Sequence, residues 1–315
     1  MHPGTDLLSR RKALLLLGAG AFCVKAQKPG ISKSDLFPEF LGLWTESESP
    51  AERADRFLRL VVKPHIELFD AFAGDVSMER ATRYIRQVEP LVPTIRSLDS
   101  WVVDGFDAHV AAFQKKIPDF AWHGSVVFMP TLFGFDAGGG PAGGEDVLVV
   151  GLDTIAKIDG PHADLSVLMA HELFHKYHAS FHPEWADQSR GKDIPLYRLV
   201  WIEGLATYAS QQLNPGAGLN SVLRSATLST SCEEHLIPLA ELLLRALDST
   251  QKEPFMEWMS ARTRSSDVPP RAGYYFGWRV ATVLGKGNSL REMARLRDED
   301  VHTAIVRELQ KLARS

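Results

Sequence analysis

The sequence predicts an α+β protein that is mostly helical and contains one small β-sheet. Apolar residues recur at i, i+3 and i+4 through residues 33–118 and again from His162 onward, which is the helical period. Between these regions, the runs 122–131 and 146–155 are short, apolar and β-branched, as is typical of strands. The 315 residues are 45% hydrophobic and 23% charged, which indicates a globular protein with a sizeable core.

Residues 1–26 are predicted to be a signal peptide rather than part of the fold. "SRRKALLLLGAGAF" has a basic start followed by an apolar run that is short for a membrane span. The pair Arg10 and Arg11 resembles the twin-arginine export signal. Cleavage is expected after Ala26, and attachment of a lipid to Cys23 is the alternative. We therefore expect an exported protein, periplasmic or extracellular.

Charge and cysteine content exclude some functions and some means of stabilisation. The formal net charge of −4 gives no basic surface for nucleic acid. Only Cys232 lies outside the predicted signal peptide, so an intramolecular disulfide is not expected. The most apolar later segment, "LIPLAELLLRAL", is too short and too charged to span a membrane. Stability must therefore come from the core, with a metal as a further contributor.

Residues 27–120 are predicted to form a helical N-terminal region. "SPAERADRFLRLVV" starts with Ser-Pro and has acidic residues in its first turn, a typical helix start. "SMERATRYIRQVEPLV" and "SLDSWVVDGFDAHVAAFQKK" continue the helical spacing. We expect this region to form one compact unit with residues 121–315.

Two strands are predicted next, "WHGSVVFMPT" and "DVLVVGLDTI". The Gly-rich segment "GFDAGGGPAGGED" joins them. It lacks the spacing and the Lys-Ser/Thr ending of a phosphate-binding loop. We therefore expect a flexible connection there rather than a nucleotide site.

The remaining chain is predicted to be helical. "DLSVLMAHELFHKYHASF" is one helix, with Asp164 or Ser166 as its cap. "LYRLVWIEGLATYASQQLN" is a second helix, ended by Asn-Pro-Gly. "LIPLAELLLRAL", "GYYFGWRVATVLGK" and the C-terminal "REMARLRDEDVHTAIVRELQKLARS" complete the helical region.

The first of these helices contains His171, Glu172 and His175 in an H-E-x-x-H pattern. Histidines four apart on a helix are separated by about 40° around its axis, so both imidazoles can reach one ion. Zinc binds neutral imidazole nitrogens. Glu172 follows His171 directly, and its carboxylate is placed beside the ion, where it can take a proton from a water. The pattern predicts a catalytic zinc site.

A catalytic zinc needs a third protein ligand, for which the sequence offers three candidates. His178 shares the helix, but three successive ligands on one helix rise too steeply to surround an ion. His182 would require the metzincin pattern, which has Gly in place of His178 and His in place of Phe181. Glu203, in "WIEGLATYAS", lies on the next helix, far enough along the chain for a loop and a return. Glu203 is the favoured third ligand.

The combination of "HELFH" and "EGLATY" resembles the gluzincin metallopeptidases, in which H-E-x-x-H is followed by a Glu on the next helix. Residues 146–285 are also similar to a family of predicted zinc-dependent proteases with a G-Y-x-x-G element, here "GYYFG". The resemblance implies a zincin-like region at 121–315, with a small β-sheet and a two-helix zinc site. It also implies bound Zn2+, a peptide or protein substrate, and a substrate-binding edge strand, for which the run 146–155 is the candidate.

The resemblance also implies roles for individual residues. Glu172 is the general base, and Tyr274 is the donor to the oxyanion, with Tyr275 as the alternative. Both tyrosines could instead be packing aromatics. Thr207 stands where thermolysin-like members have an acidic residue that orients a histidine ligand, and a hydroxyl is a weaker acceptor.

Two other functions fit the same residues: a zinc-binding protein without peptidase activity, and a zinc hydrolase acting on a non-peptide bond. The sequence leaves the substrate preference, internal or terminal cleavage, and the oligomeric state open.

Overall fold

The structure is a computed structural model that describes residues 30–45, 48–186, 194–262 and 265–314. The predicted signal peptide, including Cys23, lies outside these residues, so export and lipid attachment stay predictions. Among the described residues, no helix combines the length and the apolar content that a membrane span needs.

Helices make up most of the described chain. The α-helices are α1 (Phe37–Leu41), α2 (Pro50–Phe57), α3 (Ile66–Phe72), α4 (Met78–Val88), α5 (Val92–Lys116), α6 (Leu152–Ile158), α7 (Ser166–Ala179), α8 (Pro183–Ala186), α9 (Leu196–Leu213), α10 (Leu219–Val222), α11 (Leu228–Glu234), α12 (Leu236–Ala246), α13 (Lys252–Met259), α14 (Ala272–Leu284), α15 (Leu290–Met293) and α16 (Asp298–Leu312). The strands are β1 (Ser32–Asp35), β2 (Ser125–Phe128), β3 (Ala137–Ala142) and β4 (Glu145–Val150).

The strands form one mixed sheet in the order β1-β2-β4-β3. β1 pairs with β2 and β2 with β4 in parallel, whereas β3 is antiparallel to β4. Val127 of β2 is in register with Ser34 on one side and Val149 on the other. Every residue of β2 and the last four of β4 are buried, as expected for inner strands covered by helices on their faces. The α+β prediction, mostly helical with a small sheet, is confirmed.

Three details of the predicted strands are wrong. The Gly-rich segment is not merely a connection, because β3 lies within it and forms an edge of the sheet. β4 is consequently an inner strand rather than the edge strand, and it ends at Val150, followed by helix α6 from Leu152. β1, in the region predicted to be helical, is the polar segment "SKSD", which carries no β-branched signal. Pairing with β2 overrides its weak strand propensity.

The hydrophobic core is continuous from the N-terminal helices to the C-terminal helix. Phe106 of α5 packs edge-on against Phe128 of β2, with ring centroids 6.0 Å apart. α5 also packs against α7, the helix that carries the H-E-x-x-H pattern. Residues 27–120 and 121–315 therefore share one core where they are described, and the boundary between them stays a prediction.

Candidate metal centre

Helix α7 places His171 and His175 in the wall of a cleft. Its sequence, "SVLMAHELFHKYHA", has apolar or aromatic residues on all sides, and most of the helix is buried. A helix that is apolar all round is stable only when it is surrounded by other elements. Here α5, β3 and α9 provide those contacts. The two histidines face the cleft with partly exposed rings.

Helix α9 places Glu203 opposite these histidines. Two glycines, Gly204 and Gly277, set how closely α9 packs against α14. A Cβ atom added at Gly204 would lie 2.1 Å from the carbonyl carbon of Gly277 on α14. One added at Gly277 would lie 2.0 Å from the carbonyl oxygen of Val200 on α9. The backbones of α9 and α14 thus touch at a crossing that only glycine permits. Glu203 is the residue before this contact.

The donor atoms of the three predicted ligands converge. His171 Nε2 and His175 Nε2 are 2.9 Å apart, and Glu203 Oε2 is 3.2 Å from the first and 3.4 Å from the second. Tetrahedral zinc with bonds of about 2.0 Å separates its ligand atoms by roughly 3.3 Å. Two imidazole nitrogens and one carboxylate oxygen, with an open fourth position, are the donor set of a catalytic zinc. The residues therefore fit the ion.

The electrostatics of Glu203 agree with a ligand role. Burial alone would raise its pKa, but the His175 charge and hydrogen bonds with both histidines lower the pKa well below its usual value. The carboxylate is therefore charged at neutral pH, as a metal ligand must be. Among the described residues, these three form the cluster of His, Cys, Asp and Glu side chains with metal-binding spacing.

Glu172 lies beside the ligands in the same cleft. Only 7% of the residue is exposed. Burial raises the pKa of Glu172, while the charges of His175 and His171 oppose that rise. A carboxylate whose pKa is raised is better suited to accepting a proton and releasing it again.

The two tyrosines are placed differently. Tyr274 lines the cleft, and its ring is nearly parallel to that of His171, at a centroid distance of 6.5 Å. Burial and the Glu203 charge raise the pKa of Tyr274, so its phenol keeps its proton. Tyr275 points elsewhere: its hydroxyl donates to Glu233 and accepts from Arg279 at 2.8 Å. The structure brings Tyr274, and not Tyr275, to the ligands.

Thr207 is fully buried one turn after Glu203. Its hydroxyl donates to the backbone carbonyl oxygen of Glu203 at 2.8 Å. Within the described part of the chain, no hydrogen bond joins Thr207 to either histidine ligand. The Thr207 hydroxyl is therefore bonded to the backbone of the helical turn that carries Glu203 rather than to a histidine ligand.

His178 and His182, the rejected ligand candidates, form a separate part of the cleft wall. Their ring centroids are 5.2 Å apart, and His182 stacks on Trp185 at 4.0 Å. The Nε2 atoms of both histidines are buried, and neither has a hydrogen-bond partner among the residues that the structure describes. Neither belongs to the cluster of three donors described above.

Lys176, which follows a predicted ligand, is buried instead of reaching solvent. Its ammonium donates to Asp146 Oδ1 at 2.5 Å and to the Val147 carbonyl oxygen at 3.1 Å, both on β4. The charge also lies over the ring of Trp122, 5.1 Å from its centroid. A Cβ at Gly139 of β3 would lie 2.6 Å from the ammonium, so the Gly-rich strand makes room for this ion pair.

The cleft itself has a volume of about 590 Å³, within the range of small-molecule and peptide sites. The ligand helices line one side, and β3 lines the other through Gly138–Pro141. The sequence interpretation missed three features of this cleft, namely the strand β3 and the cations Arg224 and Arg271. Both arginines have positive φ angles, 49° and 63°, which no sequence motif announces.

Comparison with known proteins supports the same region. Residues 117–305, more than half of the chain, match the model of the family described as "Putative zinc dependent peptidase (DUF5700)". This match includes the three donor residues, Glu172 and Tyr274. No curated protein and no solved structure matches the chain. The chain belongs to the DUF5700 family of proteins.

Proposed function

We propose that this protein is a zinc-dependent peptidase of the gluzincin type, with His171, His175 and Glu203 as its metal ligands. The convergence of their three donor atoms, at the separations that tetrahedral zinc requires, carries the proposal. The family match agrees with zinc dependence and with peptide hydrolysis. The buried carboxylate of Glu172 beside the donors favours hydrolysis over simple metal binding.

The proton transfers are assigned to Glu172. A bound zinc ion would lower the pKa of a water toward 7 and polarise a carbonyl. The Glu172 carboxylate accepts the proton of the attacking water and then delivers it to the nitrogen of the leaving amine. Burial raises the pKa of Glu172, which favours both the uptake of the proton from water and its transfer to the leaving amine.

The phenol of Tyr274 is assigned to the developing oxyanion. Because burial keeps the phenol protonated, it can donate a hydrogen bond to the oxygen of the tetrahedral intermediate. Such a donor strengthens its contact as negative charge develops, and it therefore accelerates the chemical step more than it strengthens substrate binding.

The substrate is expected to lie along β3. This strand is at the edge of the described sheet, and its residues line the cleft. An extended peptide can pair with such an edge through backbone hydrogen bonds. Edge pairing recognises backbone rather than side chains, which favours a peptide as the substrate.

Metal content and peptide cleavage by purified variants test the proposal. We expect about one zinc per chain in the wild type and in Glu172→Gln, and a loss of zinc in His175→Ala and in Glu203→Ala. Glu172→Gln should retain zinc and lose activity by about 10²- to 10⁴-fold. Retention of zinc by Glu203→Ala would disprove the third ligand. Full activity in Glu172→Gln would disprove the mechanism, and zinc binding without cleavage by the wild type would favour a binding protein.

The two tyrosines provide a matched pair for the same assay. Tyr274→Phe should lower kcat by about 10²-fold, because the oxyanion donor is removed, and its zinc content measures what the hydrogen bond between the phenol and Glu203 contributes to metal binding. Tyr275→Phe removes a hydroxyl that contacts Glu233 and Arg279, outside the cleft, and should keep its activity. Equal losses in both variants would argue against a specific role for Tyr274.

A further inference from the structure

Arg271 lines the cleft at the point where α14 begins. Its guanidinium carbon lies 4.1 Å from the centre of the Tyr274 ring, and the Tyr274 ring in turn lies parallel to that of His171. The guanidinium is therefore separated from the candidate metal centre by one aromatic ring. An extended peptide advances roughly 3.3 Å per residue, so Arg271 is within reach of residues close to the scissile bond.

The other basic side chains of the cleft wall already have acidic partners. Lys176 pairs with Asp146. Arg224 pairs with Asp136 and Asp159, at 2.7 Å in each case.

Arg271 is the basic lining residue that forms no ion pair within the described part of the chain. Glu203 belongs to the candidate metal centre, and Glu172 lies beside it. The positive charge of Arg271 in the cleft wall is therefore open to an acidic group of a ligand.

The backbone conformation of Arg271 is energetically unfavourable for a residue other than glycine. Its φ of 63° is in the left-handed region, where a non-glycine residue costs about 1–2 kcal/mol. Glycine or asparagine would be better suited to the turn alone. An arginine in this conformation holds its planar guanidinium against an aromatic face, which leaves the N–H groups at its edge free to bind an acceptor.

We propose that Arg271 is a substrate-binding residue that receives a carboxylate of the peptide, a few residues at most from the bond that is cut. The proposal rests on the proposed peptidase function. The guanidinium matches a carboxylate through two parallel hydrogen bonds, so the bound group is either the C-terminal carboxylate or an acidic side chain. If Arg271 binds the C-terminal carboxylate, the protein cleaves near the C-terminal ends of peptides. If it binds an acidic side chain, the protein prefers sequences that contain Asp or Glu near the cleaved bond.

Three pools of N-acetylated hexapeptides of random uncharged sequence test this inference. The first pool has a free C-terminal carboxylate, the second a C-terminal amide, and the third an amide together with one glutamate. Mass spectrometry measures their cleavage by the zinc-loaded protein. It also measures their retention on an immobilised Glu172→Gln column, which reports binding without hydrolysis.

For the wild type we expect cleavage and retention of the first or the third pool to exceed those of the second by about tenfold or more. In Arg271→Gln this ratio should fall toward one, and in Arg271→Lys, which keeps the charge without the planar fork, it should fall part of the way. Arg262→Gln is the matched control. Arg262 precedes α14 as well but is exposed and outside the cleft wall, so this variant should keep the wild-type ratio.

A wild-type ratio of one would overturn the inference. So would a ratio that Arg271→Gln leaves unchanged while overall activity falls, because Arg271 would then act only by supporting Tyr274. Cleavage of all pools without a carboxylate preference would refute the inference and leave the peptidase function standing. Arg271-dependent retention without any cleavage would refute the peptidase function instead.

Discussion

The surroundings of His178 keep its imidazole uncharged. Burial, together with the charges of His182 and His175, lowers the pKa of His178 from 6.5 to about 3. Its Nε2 atom has no hydrogen-bond partner within the described residues. The sequence argued against a ligand role for this histidine. The surroundings of its imidazole depend on Trp185 and His182, whose positions no helical period indicates.

This lowered pKa predicts that the zinc-free protein loses stability in acid. Below pH 6.5 the unfolded chain takes up a proton at His178 that the folded protein does not bind, so stability present above that pH is lost as the pH falls toward 3. The loss is about 1 kcal/mol for each pH unit in this window. Urea unfolding with a chelator, at about pH 7 and about pH 5, should show a smaller loss for His178→Phe than for the wild type. Equal losses would mean that His178 is protonated in the folded protein.

The residues of the candidate site differ in how far the sequence could predict them. His171, Glu172 and His175 were predictable because four-residue spacing on a helix fixes their relative positions. Glu203 was proposed from its place on the next helix and from family resemblance, and Tyr274 from family resemblance alone. Arg271 has no comparable signal, because its place in the cleft depends on the turn before α14 and on the Tyr274 ring.

At the scale of elements, the site depends on the crossing of α9 and α14. Periodicity predicted both helices, but it could not reveal that Gly204 and Gly277 meet at backbone contact. The same limit applies to β3. Its sequence, "AGGGPA", lacks side chains that favour strands, and its pairing with β4 forms only in the folded chain.

The glycine contact predicts a large effect of one added methyl group. Gly204→Ala should cost roughly 3 kcal/mol or more in the free energy of unfolding and weaken zinc binding, because the new Cβ meets backbone atoms that cannot rotate away. Urea unfolding and zinc titration measure both effects. Gly105→Ala is the control: Gly105 lies in α5, where an added Cβ meets nothing within 4 Å. This variant should be stabilised by up to about 1 kcal/mol, and a similar loss in both variants would contradict the argument.

At the scale of the whole molecule, the N-terminal helices and the strand β1 are part of the structure that holds the site. The sequence predicted the helices and the central strands from their apolar patterns. It did not reveal β1, or the mixed sheet order in which an early strand pairs with one about ninety residues later. Long-range pairing of this kind depends on the whole fold, because a polar strand alone has no preference for one partner.

The shared core predicts that residues 121–315 do not fold without the preceding region. Without it, β2 loses its β1 partner, and Phe128 loses its contact with Phe106. We expect the isolated fragment to unfold without a cooperative transition in urea, whereas residues 27–315 unfold in one step. A fragment that unfolds cooperatively and binds zinc would show that residues 121–315 are an independent domain.

The buried Lys176 links the metal centre to the edge of the sheet. It is adjacent in sequence to the predicted ligand His175, and its ammonium is held by two oxygens of β4 directly beneath Gly139 of β3. His175, a predicted ligand, and Lys176, which contacts the edge of the sheet, are thus consecutive residues of α7. If β3 moves when a peptide substrate docks beside it, Lys176 moves with it. Because Lys176 belongs to α7, the helix that carries both histidine ligands moves as well. For the proposed peptidase, we therefore expect substrate docking beside β3 to alter the geometry of the metal ligands.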